Sequence, residues 1–195
     1  MNIIPIIDDN VQADTLPVIK TTYYPWTDDS FKPFMHFRPA FNDQGLFLDL
    51  ICFERDPAIG TNVLNSISQG SCAAVSVSFD LKGPQLTVVF TADGKGALFV
   101  GDGSQNTPEN PIPIKGELSK GEDEVGWFWE VRWTLKKSMI KSLGARYPED
   151  GSSVFMNAYK FQKSGHFSHF GCVAPAAIQS VYYSGNLDEF KVVKF

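Results

Sequence analysis

Residues 127–133 (WFWEVRW) constrain the fold of this chain more than any other segment. The three indoles stand at Trp127, Trp129 and Trp133, always an even number of residues apart. In an extended strand, side chains alternate between two faces, so these indoles share one face, whereas a helix would scatter them around its circumference. Each indole can bury roughly 150–250 Å² of surface. The pattern therefore predicts a β-sheet protein with a large aromatic core.

Other segments have strand-like lengths and end at turn residues. Residues 45–54 are apolar on both faces, which is typical of a strand covered on both sides. Residues 71–80 alternate cleanly, and a Gly-Pro turn separates them from a second strand-like segment at 85–92, so the two predict a hairpin. The spacing of apolar residues predicts one helix over 136–143, with Gly144 as its C-terminal stop.

Length and composition favour a single domain. The chain has 195 residues, of which 43% are hydrophobic and 13% aromatic, and this is enough for one well-filled core. Segments 55–70, 101–113 and 119–126 have the composition of loops, and neither a repeat nor a linker divides the chain. We therefore predict one all-β domain over residues 1–195, an antiparallel β-sandwich with jelly-roll or immunoglobulin-like layering and one short helix.

Charge and cysteine content exclude some classes of partner. The net charge is −5 and the only adjacent basic pair is Lys136-Lys137, which argues against nucleic acid as a partner. The N-terminus has no basic start, and no apolar run approaches the roughly 18 residues that span a membrane. Cys52, Cys72 and Cys172 lie in apolar segments and cannot all pair with one another. We expect buried free thiols in a cytoplasmic protein that does not bind membranes.

Two segments contain residues that could bind a metal ion. His166 and His169, followed by Cys172, have poor zinc spacing, because residues three apart on a strand point to opposite faces. Residues 102–106 (DGSQN) repeat the alternating oxygen ligands of a calcium loop, but Pro113 occupies the position of the closing glutamate. We predict no metal site and no cofactor, with a structural calcium ion left open as the alternative.

Catalytic patterns are weak in this sequence. No Gly-x-Ser-x-Gly motif is present, and Glu54, Asp56 and Glu130 resemble ordinary carboxylates at the rim of a sheet. The small hydroxylated face of segment 71–80, with Ser76 and Ser78, suggests instead the floor of a ligand groove. The simpler alternative for this face is a plain solvated surface. Enzymatic activity stays uncertain, and the sequence offers no mechanism for it.

Several short motifs resemble carbohydrate-binding module family 9 and its wider relatives. Residues 54–57 (ERDP) are similar to the family's Glu-x-Asp/Asn-Pro, and residues 129–133 resemble its Trp-x-Val strand before a short helix. The best match is at the C-terminal end, where residues 155–160 (FMNAYK), 165–171 (GHFSHFG) and 190–195 resemble an Asn-Phe-Tyr-Lys motif, a His-Phe motif and a closing aromatic strand. The resemblance covers nearly the whole chain.

The resemblance implies a β-sandwich that binds sugars between two tryptophans, with structural calcium nearby. This sequence departs from the family pattern at the sugar-binding positions. Ala74 and Thr91 stand where family members have a carboxylate of the site, and Cys172-Val173 replaces an expected tryptophan. Because two stacking indoles and an orienting carboxylate are missing, we expect the usual sugar site to be degenerate.

We predict a non-catalytic carbohydrate-binding protein that holds a sugar or glycoside on a sheet face or in a loop groove. The predicted ligand-binding residues are Asn157, Tyr159, Lys160, His166, His169, Ser76 and Ser78. Within this set the Tyr159 ring would stack on the sugar, while Asn157 and the histidines would bond its hydroxyls. Strand alternation places Lys160 on the face opposite Asn157 and Tyr159.

Two other functions remain open from the sequence. The first is a structural or protein-interaction module without sugar binding, whose sheet face meets another subunit, including a homodimer. The second is a glycoside hydrolase that depends on Glu54 or Asp56.

Overall fold

The computed structural model describes residues 2–8, 11–27, 32–60, 62, 64, 67, 69–80, 82–163 and 168–194. Regular structure in these residues is nearly all β-strand, which confirms the predicted class. The strands are β1 (Asn2–Ile6), β2 (Ile19–Lys20), β3 (Phe34–Phe41), β4 (Gly45–Phe53), β5 (Cys72–Ser78), β6 (Gln85–Thr91), β7 (Lys95–Gly101), β8 (Ile112–Lys115), β9 (Glu117–Glu122), β10 (Trp127–Lys136), β11 (Ser153–Gln162), β12 (His169–Cys172) and β13 (Asp188–Lys194). A short helix, α1 (Lys137–Ser142), follows β10 directly.

Hydrogen bonds join these strands into one mixed sheet. The strand order is β8-β7-β6-β5-β11-β13-β1-β3-β4-β10-β9, with β12 paired to β11 and β2 paired to β3. Most pairs are antiparallel, but β1 runs parallel to both β13 and β3, so the prediction of a purely antiparallel sheet is wrong at this strand. The strand pairing is also one continuous path, whereas a sandwich of the predicted layering would have two separate sheets.

The sheet curves so far that it nearly closes into a barrel. Its end strands, β8 and β9, are consecutive in the chain and are separated only by Gly116. A methyl group on Gly116 would overlap Val131 and come within 3.1 Å of the Phe90 ring, so only glycine fits without movement. Because one residue links the two ends of the path, β8 and β9 have to lie close together in space.

The larger hydrophobic core lies inside this curved sheet. Alternate residues of β3, β4 and β10 join alternate residues of β5, β6 and β11 in this core, and Trp129 belongs to it with 1% exposure. The other two indoles of the same strand face are less buried than predicted. Trp133 is half-buried in the second half of β10, and Trp127 is 47% exposed at its start. The predicted alternation is confirmed, because Trp129, Val131 and Leu135 of this face are all buried in the larger core.

A smaller core covers the opposite face of β5, β6, β7 and β11. It includes Ala74, Tyr159, Phe170 and Cys172, and Val181 and Tyr182 cover it from the segment before β13. Val181 and Tyr182 lie in a turn rather than in a strand. Both faces of β5 are therefore buried, which explains its unbroken run of buried residues.

Some loop boundaries also differ from the sequence prediction. Strands β8 and β9 occupy parts of the predicted loops at 101–113 and 119–126. In the predicted loop at 55–70, Leu64, Ile67 and Gln69 are helical, and Ile67 joins the smaller core. Helix α1 is confirmed, and Gly144 follows it with a φ of +77°. Across the described ranges, no helix has the length and apolar character needed to cross a bilayer.

Candidate functional site

All described members of the predicted ligand site are buried. The exposures of Ser76, Asn157, Tyr159 and Lys160 are 0%, those of His169 and Ser78 are 2% and 4%, and His166 lies outside the described residues. Ligand binding by these side chains stays a prediction, but none of the described ones stands on an open surface. Lys160 does lie on the opposite strand face from Tyr159, as predicted.

The hydroxylated face of β5, which we expected to be a groove floor, is covered. The Ser76 hydroxyl donates to the carbonyl oxygen of Val181 and also contacts the Thr87 hydroxyl at 3.0 Å. Ala74 and Cys172, two positions at which the sequence departs from the family pattern, are fully buried in the smaller core. The segment around Val181 therefore occupies the space above this face.

Asn157 holds two neighbouring segments in place. Its side-chain amide donates to the carbonyl oxygens of Ala174 (3.1 Å) and Asn186 (2.8 Å). Its side-chain oxygen accepts hydrogen bonds from the backbone N–H groups of Ala158 (2.9 Å) and Ala174 (3.1 Å). Because these bonds use the polar atoms of the side chain, Asn157 anchors the backbone that follows β12 and precedes β13.

Lys160 lies at one end of the larger core, inside a buried polar cluster. Its ammonium group lies 3.1 Å from Glu54 Oε2, 2.6 Å from Ser71 Oγ and 2.9 Å from His169 Nε2. Ser71 also donates to Glu54 Oε2 at 2.5 Å, and Trp129 Nε1 lies 3.4 Å from the same oxygen. An ammonium group can donate hydrogen bonds but cannot accept them. The bond between Lys160 and His169 is therefore accepted by an unprotonated Nε2 of His169. We call these five residues the Lys160 cluster.

The electrostatics of the Lys160 cluster favour an ion pair. Burial alone would raise the pKa of Glu54, but the Lys160 ammonium and the Ser71 hydrogen bond outweigh it, so the pKa is lowered. The carboxylate is therefore charged and paired. Burial in the same region raises the pKa of the Cys72 thiol to about 12, so this thiol is neutral.

This arrangement bears on the hydrolase hypothesis. Glu54 is bound to Lys160, and its side chain is 4% exposed. A lysine beside a serine hydroxyl is a known way to activate a nucleophile, but Ser71 and Lys160 are both fully buried. The cluster therefore connects β10, β11 and β12 with the residue after β4 and the residue before β5. The sequence contains little indication of the Lys160 cluster. The one signal is that Lys160 lies two residues after Ala158 on β11, on the strand face that Met156 and Ala158 turn towards the larger core.

A pocket opens next to the smaller core, beside Tyr182. Its volume is about 280 Å³, and its walls are formed by Gln105, Thr107, Lys163, Phe170, Gln179, Ser180, Val181 and Tyr182. We call it the Tyr182 pocket. Its walls combine two aromatic rings with amides, hydroxyls and one ammonium group. Phe170 lies against Tyr159, with ring centroids 5.5 Å apart, so the pocket adjoins the region that the sequence analysis selected.

Tyr182 is a buried donor at this pocket. Burial raises its pKa to about 12, against a smaller lowering by nearby Thr107, so the hydroxyl keeps its proton at neutral pH. No hydrogen bond of standard geometry joins that hydroxyl to a described residue. Buried polar groups in native proteins nearly always have a partner, so a ligand oxygen or a water molecule can serve here.

The outer face of β3, β4 and β10 is a second distinctive surface. Phe34 stacks on Phe53 with centroids 4.6 Å apart, and Phe53 in turn packs near Phe128 at 6.1 Å. His36 meets Phe53 edge-on at 4.8 Å. These rings are half-buried except for Phe53, which is 8% exposed. The result is an aromatic row that points away from both cores.

A charged row runs beside these rings on the same outer face. Asp49 is fully buried between two guanidinium groups, 3.1 Å from Arg38 Nη1 and 3.6 Å from Arg132 Nε. Arg132 also pairs with Glu130 at 2.8 Å. Burial raises the pKa of Asp49 to about 6, the Glu130 carboxylate adds to the rise, and the two arginines oppose it. This row was absent from the sequence analysis, because Arg38, Asp49 and Arg132 are far apart in the chain.

The structure describes His169 and Cys172 of the candidate metal-binding residues, while His166 lies outside the described residues. Among the described residues, no group of three or more His, Cys, Asp or Glu side chains could hold an ion. In segment 102–106, which resembles a calcium loop, the Asp102 carboxylate accepts a hydrogen bond from the Ser104 N–H at 2.9 Å, as in an ordinary polar turn.

Comparison with known proteins adds information at the level of fold. No protein-family model matches the sequence, and no curated protein matches it. Among solved structures, a proposed carbohydrate-binding protein from Bacteroides uniformis is similar, with a TM-score of 0.72 and 14% identity. The match covers 98% of this chain and 99% of that one.

Two further structures are family 9 carbohydrate-binding modules from Caldicellulosiruptor kristjanssonii, in complex with cellotriose and with glucose. Each has a TM-score of 0.59 and 12% identity, and each match covers 100% of this chain. The matches cover 94% and 96% of the modules respectively. This chain therefore has the fold of these proteins over its whole length, as the resemblance in the sequence implied.

Proposed function

We propose that this chain is a non-catalytic carbohydrate-binding protein, one domain over residues 1–195, which holds a sugar in the Tyr182 pocket. The observation that carries the proposal is the similarity of fold, end to end, to a proposed carbohydrate-binding protein and to modules solved with cellotriose and glucose. The proposal needs no cofactor, because hydrogen bonds and ring contacts are sufficient to hold a sugar. Three buried free thiols support a reducing, cytoplasmic location.

The chemistry of the Tyr182 pocket suits a sugar ring. A cavity of about 280 Å³ is of the size of a small ligand, and Gln105 and Gln179 supply amides that can both donate and accept hydrogen bonds. The Tyr182 hydroxyl has a proton to donate, and Lys163 supplies further donors. The aromatic wall is Phe170. This proposal keeps the predicted region but moves the contact from the buried His169 and Tyr159 to residues on the pocket wall.

Titration with sugars tests the proposal. Glucose and cellotriose are the first probes, followed by a panel of mono- and oligosaccharides, with binding measured by calorimetry and by amide chemical shifts. We expect shifts at Gln179 and Tyr182, and a loss of affinity of about fivefold in Gln179→Ala, the equivalent of one hydrogen bond. Gln12→Ala is the matched control, because Gln12 is exposed on a different segment.

Tyr182→Phe separates binding from folding. The substitution removes only a hydroxyl that has Thr107 nearby but forms no hydrogen bond of standard geometry with a described residue, so the free energy of unfolding is expected to change by less than about 1 kcal/mol. If the hydroxyl donates to the sugar, affinity falls while stability does not. The proposal fails if no saccharide in the panel shifts the resonances of the pocket, or if Gln179→Ala and Tyr182→Phe both bind like the wild type.

The outer face of β3, β4 and β10 favours a second candidate, a homodimer without sugar binding. An outward row of half-buried phenylalanines beside paired charges is typical of surfaces that meet another subunit. Light scattering at increasing concentration should detect the dimer. Phe34→Ser should shift it towards monomer, whereas Val100→Ser should not, because Val100 is 37% exposed on β7, which pairs with none of β3, β4 and β10. A monomer at every concentration would exclude this candidate.

A further inference from the structure

The curved sheet leaves an open seam between β8 and the end of β10. Strand β10 pairs with β9 only as far as Arg132, so residues 133–136 keep a neighbour, β4, on one side only. Strand β8 pairs with β7 alone. Between these two edges lies a groove of about 610 Å³, lined by Ile112, Pro113, Ile114, Lys115, Trp133, Thr134, Lys136, Ser138, Met139 and Ser142. We call it the seam groove.

Trp133 forms a rigid part of the seam groove. Its indole is half-buried and meets the Phe90 ring edge-on, with centroids 5.8 Å apart. This contact anchors the ring, so a ligand that packs on it has little side-chain entropy to remove. Ile112, which is 44% exposed, lies on the β8 side of the groove. A flat apolar surface of this kind suits the C–H face of a sugar ring.

The charge of the seam groove has one sign. Lys115 and Lys136 are exposed and line it, and no acidic residue does so. Neither lysine forms an ion pair with a described residue. The whole chain has a net charge of −5, so the positive charge of this groove is opposite in sign to the net charge of the protein. The larger groove near α1 differs, because it mixes both signs: Lys137, Lys141, Arg146 and Lys194 with Asp8, Asp43, Glu149 and Asp150.

Hydrogen-bonding groups complete the seam groove. The hydroxyls of Thr134, Ser138 and Ser142 line it, and Ser142 Oγ donates to the Met139 carbonyl oxygen while keeping its lone pairs. The unpaired edge of β10 adds backbone groups. An indole, two cations and several hydroxyls are together complementary to a ring that carries hydroxyls and a carboxylate.

We propose that the seam groove binds an acidic oligosaccharide, with a uronic acid ring on Trp133 and its carboxylates beside Lys115 and Lys136. This site is separate from the Tyr182 pocket and does not rest on sugar binding there. The ligand class is also different, since recognition depends on the carboxylate.

The test compares trigalacturonic acid with its fully methyl-esterified form, in calorimetric titrations of the full chain. Esterification replaces each carboxylate by a neutral methyl ester and keeps the rings and their hydroxyls, so we expect the ester to bind at least about tenfold more weakly. Lys115→Gln and Lys136→Gln should each weaken binding of the acid by about fivefold, and added salt should weaken it further. Lys120→Gln is the matched control, because Lys120 is exposed on β9 and does not line the groove.

The outcomes are distinguishable from those for the Tyr182 pocket. Trp133→Phe, checked for folding by thermal unfolding, should weaken binding of the acid, whereas Tyr182→Phe should leave it unchanged. Equal binding of acid and ester, or wild-type affinity in both lysine variants, would overturn the proposal. Tighter binding of an alternating Glu-Val peptide than of the trisaccharide would also overturn it, and would identify the seam as a site for strand addition instead.

Discussion

Replacement of Lys160 by methionine tests the energetics of the Lys160 cluster. Methionine keeps most of the side-chain volume but leaves the Glu54 carboxylate buried without its cation. Protonation of Glu54 at pH 7, starting from its ordinary pKa of 4.5, would cost about 3 kcal/mol. Removal of one partner from a buried ion pair typically costs about 3–5 kcal/mol. We therefore expect Lys160→Met to lower the free energy of unfolding by about 3–4 kcal/mol at pH 7.

Urea unfolding followed by tryptophan fluorescence measures this loss, because Trp129 belongs to the cluster. Lys191→Met is the matched control. Its partner Glu189 is 50% exposed, and a surface pair of this kind contributes at most about 1 kcal/mol. In the double variant Lys160→Met/Glu54→Gln most of the lost stability should return, since no buried charge is left. If Lys160→Met costs no more than Lys191→Met, the interpretation of the cluster as a charged pair is wrong.

The pH dependence has a defined sign. The folded-state pKa of Glu54 is lowered, so the unfolded state binds more protons in acid. Its contribution to stability is complete above the unfolded pKa, near 4.5, and is lost as the pH falls through the folded value. The stability difference between wild type and Glu54→Gln should therefore shrink as the pH falls below about 4.5. A difference that grows in acid would contradict this assignment.

Three further predictions concern single positions. Asn157→Ala should cost roughly 3 kcal/mol or more in urea unfolding, because backbone groups of Ala174 and Asn186 lose their buried partner, and a cost like that of exposed Asn106→Ala would refute the anchoring role. Gly116→Ala should cost about 1–3 kcal/mol in thermal unfolding, since the added methyl overlaps Val131. Burial and Glu130 raise the pKa of Asp49 to about 6, so the contribution of Asp49 to the free energy of unfolding should fall as the pH rises from about 4 to 6. The decrease of stability over this pH range should be smaller in Asp49→Asn. The same pH profile of stability in the wild type and in Asp49→Asn would contradict the raised pKa.

The local elements of this fold could be predicted from local patterns. The alternation of residues 71–80 and of β10 determines which side chains share a face, and both assignments are confirmed. The spacing of Met139 and Ile140 before Gly144 was sufficient to predict helix α1. These predictions succeed because the period of side-chain direction depends only on backbone geometry within a few residues.

The arrangement of the strands could not be predicted in the same way. The parallel pairing of β1 with β13 joins the two ends of the described chain, and local patterns contain no information on such a contact. Local patterns also contain no information on the contact by which Val181 and Tyr182 cover the outer face of β5, because these residues are about 100 positions further along the chain. The exposure of Ser76 depended on that distant segment, so alternation predicted its face correctly but not its burial.

The sequence by itself determined that the chain forms β-strands with an aromatic inner face, and its short motifs indicated the fold of the carbohydrate-binding structures that match it. The tertiary structure decided which polar residues stay accessible. In the folded protein Lys160, Asn157 and His169 are buried, the Tyr182 pocket lies beside the smaller core, and a groove separates β8 from the end of β10. The physical reason is that strand periodicity assigns each side chain to a face, whereas access to solvent depends on which remote segment packs over that face.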